Sequence, residues 1–548
     1  MKLSFSISTI AVAAVYAAAS LYPSAAAAYN ASAPLRILLN TPPATQSHSM
    51  YMLAVCRELI ARGHDVYFAT PKVQHKWAAD QPKIKLINTS DKTWTREELT
   101  KIILEFAEVN EKNPHSADKL VRYMMFTDYA AQYKLMYDII AGRTEHGGPM
   151  DVVMCDFFVR GCIDAAHALD VPCVIRATST STDETSRQPY LPGVVDTGVL
   201  TYEHASFWKR FHDTVIIPAM AAYEQRASVQ FQWDALEQAG VEPYIGLSHQ
   251  FDKSLLFVPS FPEYDQARPL RPNVIYIGPT LSATYPPLTP ELEAYLHGRK
   301  EVVYVAFGTV TVITADKFKA MVHSLANAYR AGLIDGVVWA LAGTSADALP
   351  ASIEDVAVNA AGIAVEETHV VSEMQSGAHP FIRLVDIAPQ RAVLNHPAVK
   401  LFISHCGSAS VSEAVDAGTP ILAVPGFGDQ SGNARKIDGL GAGIYVLWRD
   451  VGTAIMDAAF RRIREGADAA GIAATMANFQ RIIRVYNRRL PYAADMVELA
   501  AVPGALKLLV PAGTRMPWWK VSNADIWLTV ALVCMAGLAA MATLPIVT

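Results

Sequence analysis

Charge is in short supply in this chain. Asp, Glu, Lys and Arg make up 18% of its 548 residues, below the roughly 25% of an ordinary soluble domain. The hydrophobic set makes up 51%. That excludes a disordered chain, which needs low hydrophobicity and high net charge. Positive charge has no surplus either: 46 Lys and Arg stand against 52 Asp and Glu, a net charge of −6. A polyanion binder carries a basic excess, so nucleic acid is not an expected partner. Cysteine is rare, at six residues, which excludes a small disulfide-stapled scaffold. No two of the six form a CxxC pair. Cys56, Cys155, Cys162 and Cys173 read as small buried hydrophobes. No internal repeat of roughly 20–50 residues is visible. The length corresponds to about three or four domains.

What is present begins at the two ends. The first residues have a positive Lys2, an apolar stretch, and small residues at Ala26-Ala27-Ala28. This is the layout of a secretory signal peptide over 1–28. The last charge is Asp525, and the 22 residues from Ile526 to Val547 carry none. As a helix they would reach about 33 Å, enough for a hydrocarbon core of ~30 Å. Trp518, Trp519 and Trp527 lie where an interfacial belt would lie. The expectation is one transmembrane helix over 526–547, type I, with the body in the lumen of the secretory pathway at the endoplasmic reticulum membrane. The alternative is a lipid anchor at the cell surface, with Ala512-Gly513 as its attachment region. Asn30-Ala31-Ser32 and Asn88-Thr89-Ser90 fit the glycosylation sequon.

Between the ends, strand-like runs alternate with helix-length segments. One series is Leu35–Asn40, Asp65–Ala69, Lys83–Asn88, Asp151–Cys155 and Val171–Ala177. Helical patterns fill its gaps at Tyr51–Ala61, Arg96–Glu108, Ala117–Ile140 and Arg160–Leu169. A second series runs Val302–Phe307, Val337–Leu341, Ile382–Ile387, Leu401–Ser404, Ile421–Val424 and Ile444–Leu447. Short apolar runs separated by helices make βαβ units and a parallel sheet. The Pro-rich stretch Gly278–Gly298 reads as a linker. The expected organisation is an α/β domain over 29–277, a linker over 278–298, a second α/β domain over 299–466, and a helical tail over 467–525. Gly343–Pro380 shows no clear period and reads as a long loop insertion.

The most specific chemistry lies in Phe402–Gly443. A strand ends at Ser404, His405-Cys406-Gly407-Ser408 makes a turn, and a helix begins near Ala409. Backbone N–H groups and the dipole at such a helix start form an anion site, and Gly407 lets a phosphate approach. His405 is placed to donate to a phosphate oxygen. Glu413 follows one turn later, where a carboxylate can grip vicinal hydroxyls. Asp429-Gln430 comes after the next strand, at the sheet edge where ligands bind. Together these point to one sugar-phosphate ligand.

This segment resembles the donor signature of the UDP-dependent glycosyltransferases. The matching positions are Pro389, Gln390, His396, Pro397, His405, Gly407, Ser410, Glu413, Gly418, Pro420, Pro425, Asp429, Gln430, Asn433 and Gly443, with Gly308 and Thr309 upstream. The C-terminal end is similar to the membrane-anchored animal branch. The resemblance implies a GT-B architecture of two facing Rossmann-like domains. It implies that Gln390 contacts the uracil region, His405 the phosphate, Glu413 the ribose hydroxyls, and Asp429 with Gln430 the sugar. Ser408 and Ser410 fall in the same donor turn and helix. The sequence departs from the family at Ile387, where the plant branch has a Trp, and at Ala409, where an Asn is usual. The basic cytosolic tail of the animal enzymes is absent.

In the first domain, His48 lies in the loop after the first strand and Asp156 at the end of the fourth. Both stand at carboxyl ends of strands in one sheet and face one crevice. A neutral imidazole can take a hydroxyl proton at neutral pH, and a carboxylate behind it fixes the tautomer. The resemblance gives the same pair as general base and partner. The expectation is an inverting transfer from a UDP-sugar to a lipophilic hydroxyl-bearing acceptor, with no cofactor. Near the donor residues there is no DxD pair, so no metal is expected. A degenerate membrane-held nucleotide-sugar binder and another nucleotide-sugar enzyme, such as an epimerase, fit the same residues. Phe126, Tyr129, Tyr133, Met136, Tyr137 and Ile140 recur at helical spacing, as core or as an acceptor wall. Phe207, Trp208 and Phe211 are a further apolar group, as a pocket lid or a membrane-facing patch. His64, at a helix end, reads as structural.

Overall fold

The computed structural model describes residues 33–542, apart from 43–45, 92–100, 102–116, 178–187, 193–198, 342–348, 359–363 and the single positions 247, 283, 309, 310, 312 and 427. The expected signal peptide, the Asn30 sequon, nearly all of the helix expected at Arg96–Glu108, and Thr309 lie outside the described residues.

The chain folds as two parallel-sheet, Rossmann-like domains. The first contains β1 (Arg36–Asn40), β2 (Asp65–Thr70), β3 (Lys85–Asn88), β4 (Val152–Asp156), β5 (Cys173–Arg176), β6 (Leu255–Val258) and β7 (Val274–Tyr276). They form one sheet in the order β3-β2-β1-β4-β5-β6-β7. Its helices include α1 (Gln46–Ala61), α2 (Ala117–Phe126), α3 (Tyr129–Ile140), α4 (Arg160–Ala168) and α5 (Ile217–Gln238). The central strands are buried on both faces, β4 along its whole length. Helices cover a parallel sheet on both sides, and that is why these strands read as continuous apolar runs.

The second domain contains β8 (Val302–Ala306), β9 (Gly336–Ala340), β10 (Ser352–Val358), β11 (Ala364–Val370), β12 (Ile382–Val385), β13 (Val399–Ser404), β14 (Ile421–Ala423) and β15 (Gly443–Tyr445). The main sheet has the order β12-β9-β8-β13-β14-β15. Its helices include α6 (Ala315–Arg330), α7 (Ser408–Ala417) and α8 (Gln430–Gly439). The Thr314 hydroxyl caps α6 by accepting from Lys317 N–H, with Asp316 in the first turn and Arg330 in the last. Both charges complement the helix dipole.

The tail joins the domains. α9 (Gly466–Tyr486) packs on the second domain, with Met476 and Ile483 buried in its core. α10 (Leu490–Ala501) crosses back and buries Ala493, Val497 and Ala500 in the core of the first. His64 is tied into this return. Its Nδ1 accepts from Leu35 N–H at 3.1 Å, and its Nε2 lies 3.0 Å from Glu498 Oε1.

Three expectations are corrected. The stretch Ala117–Ile140 is two helices, because Asp128 adopts a left-handed φ of 57° between them. β6 and β7 extend the first sheet beyond the strands expected from the sequence. Gly343–Pro380 is not a structureless loop: β10 and β11 form an antiparallel hairpin with Ser352 opposite Val370, followed by a helix at Val371–Ser376. The strand period is hidden because buried positions in the hairpin include Asp355 and His369, while Val356 and Val365 are exposed. At the C-terminus, α11 (Ala524–Ala542) carries Asp525 in its first turn, and residues 543–547 of the expected span lie outside the described residues. Among the described residues no helix is long and apolar enough to cross a membrane.

Candidate active site

Each domain presents residues at the point where its strand order reverses. In the first sheet the reversal lies between β1 and β4, and in the second between β8 and β13. Crevices at such points, outside the carboxyl ends of the strands, are where open α/β sheets bind ligands. His48 sits in the first turn of α1, after β1, and Asp156 ends β4. Gly308 follows β8, and His405 follows β13.

His48 Nδ1 lies 2.8 Å from Asp156 Oδ2. Asp156 is fully buried and His48 slightly exposed. The other carboxylate oxygen of Asp156 accepts from Phe158 N–H at 3.0 Å. Burial is the largest influence on Asp156 and pushes its pKa up, but His48, Arg176 and the Phe158 N–H outweigh it and hold the carboxyl below its ordinary value. An ionised Asp156 favours the tautomer with the imidazole proton on Nδ1 and a lone pair on Nε2. The rings of Phe157 and Phe158 flank the imidazole at 6.4 and 5.2 Å.

Tyr51 carries the first domain to the second. It lies three residues after His48 on α1, is buried, and presents its ring to the Arg176 guanidinium at 5.3 Å. Burial raises its pKa, while Arg176, Ser412 and Ser408 act to lower it. The last two belong to the first turns of α7, so the His48 helix and the donor helix share one cleft. Thr280 in the linker donates to Tyr51 O at 3.3 Å, and Tyr264 donates to Asn433 O across the domains at 3.3 Å.

On the second domain the donor turn is built around His405. Its ring fills the space between two glycines. A Cβ on Gly308 would stand 2.7 Å from His405 Nε2, and one on Gly407 2.6 Å from it. Burial pushes the His405 pKa down to about 4, so the ring is neutral at pH 7. Its Nδ1 is buried and has no hydrogen-bond partner among the described residues. Cys406 turns the chain with φ 62°, a strained value for a non-glycine residue, and Asn433 Nδ2 donates to its carbonyl at 3.0 Å. Among the described residues no side chain caps α7, and its first turn holds no acidic residue. Its first N–H groups are therefore open to an anion.

Gln390, Ser410 and Glu413 meet on one side of α7. Gln390 Nε2 donates to Ser410 Oγ at 3.1 Å and to Glu413 Oε2 at 2.6 Å, and Tyr304 donates to Gln390 Oε1 at 3.3 Å. Burial raises the Glu413 pKa, opposed by Gln390 and Arg391. The Asp429-Gln430 pair divides. Asp429 is exposed and accepts from Asn433 Nδ2 at 2.9 Å. Gln430 is buried, and its Oε1 accepts from Gly426 N–H at 2.9 Å. Ile387 is 78% exposed, so an aliphatic side chain stands where the plant branch has its aromatic.

Two further residues of this cleft escaped sequence reasoning. Tyr51 left no signal beyond its place on α1. Arg176 left one: it is a lone cation in the apolar run Val171–Ala177, and a buried charge needs a partner.

Phe126, Tyr129, Met136 and Ile140 are buried in the core of the first domain, with Tyr133 and Tyr137 packed against it. Phe207, Trp208 and Phe211 are exposed and stack on one another.

Among the described residues, Asp355, Glu367 and His369 have metal-ligand spacing, with ligand atoms within 4.8 Å of one another. Arg330 already bridges the two carboxylates, at 2.9 Å from each. His379 Nδ1 accepts from Ile382 N–H at 3.1 Å, and its Nε2 faces His369 Nδ1 at 3.2 Å. That chain places the His369 proton on Nε2, 3.5 Å from Asp355 Oδ2. An arginine between the carboxylates and a proton on the ligand nitrogen make this an ion network, not a metal cage.

The family model for UDP-glucoronosyl and UDP-glucosyl transferase matches residues 37–467. The chain belongs to this family. It is 28% identical over 504 residues to a UDP-glycosyltransferase of Talaromyces amestolkiae, covering 87% of this chain and 91% of that one. It is 30% identical over 404 residues to UDP-glycosyltransferase 1 of Phaeomoniella chlamydospora, with coverage of 68% and 76%. Against human UDP-glucuronosyltransferase 1A3 the identity is 24% over 517 residues, covering 88% and 86%. These fungal relatives are the more similar, and the expected placement in a membrane-anchored animal-like branch is not carried by them. The glycotransferase of kitacinnamycin superposes with a TM-score of 0.57 at 17% identity, covering 86% of this chain and 100% of that one. A UDP-glucosyltransferase from Polygonum tinctorium gives 0.54 at 18%, covering 85% and 99%. The fold is thus GT-B-like. As a UDP-glycosyltransferase, the protein transfers sugar from a UDP-sugar.

Proposed function

We propose that this UDP-glycosyltransferase inverts the anomeric centre, needs no metal, and moves a hexosyl group to a hydroxyl of a lipophilic small molecule. The observation that carries the reading is the 2.8 Å contact of His48 with the buried Asp156, on the helix whose Tyr51 lies near Ser408 and Ser412 of α7. His48 Nε2 takes the acceptor proton. The acceptor oxygen bonds to the anomeric carbon as the bond from that carbon to the β-phosphate oxygen breaks, and UDP leaves on the opposite face. Asp156 stabilises the imidazolium that forms. The charge developing on UDP meets the N–H groups at the start of α7 and the neutral His405, which donates without adding charge. One such donor lowers a barrier by ~3–4 kcal/mol. Glu413 and Gln390 hold the ribose side and Asp429 the sugar. Phe157 and Phe158 give the acceptor its apolar contact beside the base.

The test is transfer from a panel of UDP-sugars to lipophilic alcohols in EDTA, with the product's anomeric configuration read by NMR. The expected product is inverted, and His48→Ala lowers kcat by at least ~100-fold. A retained configuration, or normal turnover by that variant, removes His48 from the mechanism.

A further inference from the structure

β5 reads Cys173-Val174-Ile175-Arg176, buried throughout. In the parallel register Arg176 is the cross-strand neighbour of Asp156. An arginine at 2% exposure stays charged only if partners replace its lost hydration. One guanidinium nitrogen does double duty. Arg176 Nη1 donates to Asp156 Oδ2 at 3.0 Å and lies 3.0 Å from His48 Nδ1. Its Nε has no partner among the described residues.

A guanidinium only donates, so His48 Nδ1 faces two demands. It can give its proton to Asp156, which leaves Nε2 free as a base. It can instead accept from Arg176, which puts the proton on Nε2 and removes the base. A carboxylate alone would favour the first state but would also favour a doubly protonated ring, and an imidazolium at rest is equally useless. A fixed cation beside Nδ1 works against that second proton, because like charges at this distance repel strongly when buried.

We propose that Arg176 is a positioning residue for sugar transfer, which anchors the Asp156 carboxylate and opposes a resting positive charge on His48, so that the base is regenerated neutral and activity extends to lower pH. The inference rests on His48 being the base. Among the described residues, the charged and titratable groups around the pair are Tyr51 on α1, Asp156 on β4, Arg160 on α4 within the field of Asp156, and Glu413 on α7 within that of Tyr51. The rings of Phe157 and Phe158 complete the surround without charge.

The test is the pH dependence of kcat/KM for wild type, Arg176→Gln and Arg176→Lys, which reports the free enzyme's base. In Arg176→Gln the acidic limb is expected to move up by about one pH unit, a tenfold loss on that limb, with the high-pH plateau largely kept. Arg176→Lys is expected to restore the wild-type limb. A plateau lowered at every pH with an unmoved limb makes Arg176 merely structural and overturns the inference, while a dead His48→Ala leaves the base reading intact. Normal turnover by His48→Ala would sink that reading instead. Should Arg176→Gln not fold, NMR titration of the His48 ring in Asp156→Asn decides. With only the cation left beside it, the ring is expected to protonate below the usual value of about 6.5. A midpoint at or above that value overturns the proposal.

Discussion

The protein builds two clusters from nearly the same parts. One is His48, Asp156 and Arg176 in the first domain, and the other is His369, Asp355 and Arg330 on the hairpin of the second. In both, one Asp oxygen lies close to a histidine nitrogen and to an arginine. They differ in what the histidine has left over. Both nitrogens of His369 face protein, His379 on one side and Asp355 on the other. For His48, Nδ1 is engaged, and no protein group among the described residues bonds Nε2. The first cluster also stands at the strand reversal of its sheet, over a cleft. The second crosslinks a hairpin to α6, where Arg330 and His323 reach Asp355. A buried His–Asp–Arg group is therefore not a catalytic signature in itself. What sets the His48 cluster apart, and what the proposed base requires, is an open nitrogen at a ligand-binding edge.

The same substitution in each cluster tests this contrast. Asp156→Asn is expected to lower kcat at least ~100-fold, because an amide no longer selects the tautomer with a free Nε2. Asp355→Asn is expected to leave kcat within about threefold, surface and structural changes away from the chemistry being small in rate. Equal losses would break the comparison. Its effect on folding is the larger one, about 1–3 kcal/mol in urea unfolding, since Arg330 loses one of its two carboxylate partners.

That stability has a defined pH dependence. Burial raises the Asp355 pKa, but His323 and Arg330 more than offset it and leave it below its ordinary value. A lowered carboxyl stabilises the fold above the unfolded value of about 3.9 and loses that contribution as pH falls through the lower folded value. The difference between wild type and Asp355→Asn should therefore shrink only below about pH 4. A gap that closes already near neutrality would exclude the ion network as its source.

The glycines around His405 sharpen the picture of the donor side. Gly407→Ala adds a Cβ 2.6 Å from the ring and is expected to cost ~1–3 kcal/mol of stability and to raise the UDP-sugar KM. Gly308→Ala meets a similar contact at φ 71°, so it is expected to cost about 1 kcal/mol more. Thermal unfolding and donor KM for the two variants check the ranking.

The smallest effect concerns Glu413. Its raised pKa means that the carboxylate is lost earlier on acidification than in an ordinary glutamate. Calorimetric UDP binding is expected to weaken a few-fold between pH 7 and 5, and Glu413→Gln should flatten that slope.

Much of this was legible in the sequence. The strands β1, β4, β8 and β13 announce themselves because parallel strands covered on both faces are apolar over most of their length. The donor turn was legible because its chemistry is local: strand, His405, Gly407 and helix start follow one another in the chain. The hairpin was not, because its inward positions include Asp355 and His369, which break the alternation that marks a half-buried strand.

Residue pattern alone determined most strands of the two parallel sheets, their order along the chain, and the placing of Asp156 at the end of β4 and His405 just after β13, since burial on two faces and helix-start chemistry are properties of short segments. Tertiary structure alone decided that Arg176 stands beside both His48 and Asp156, that Tyr51 lies near the start of α7 in the other domain, and that Gln430 is buried while Asp429 faces out. Those choices depend on contacts between residues far apart in sequence, and only packing brings such residues to within the reach of a hydrogen bond.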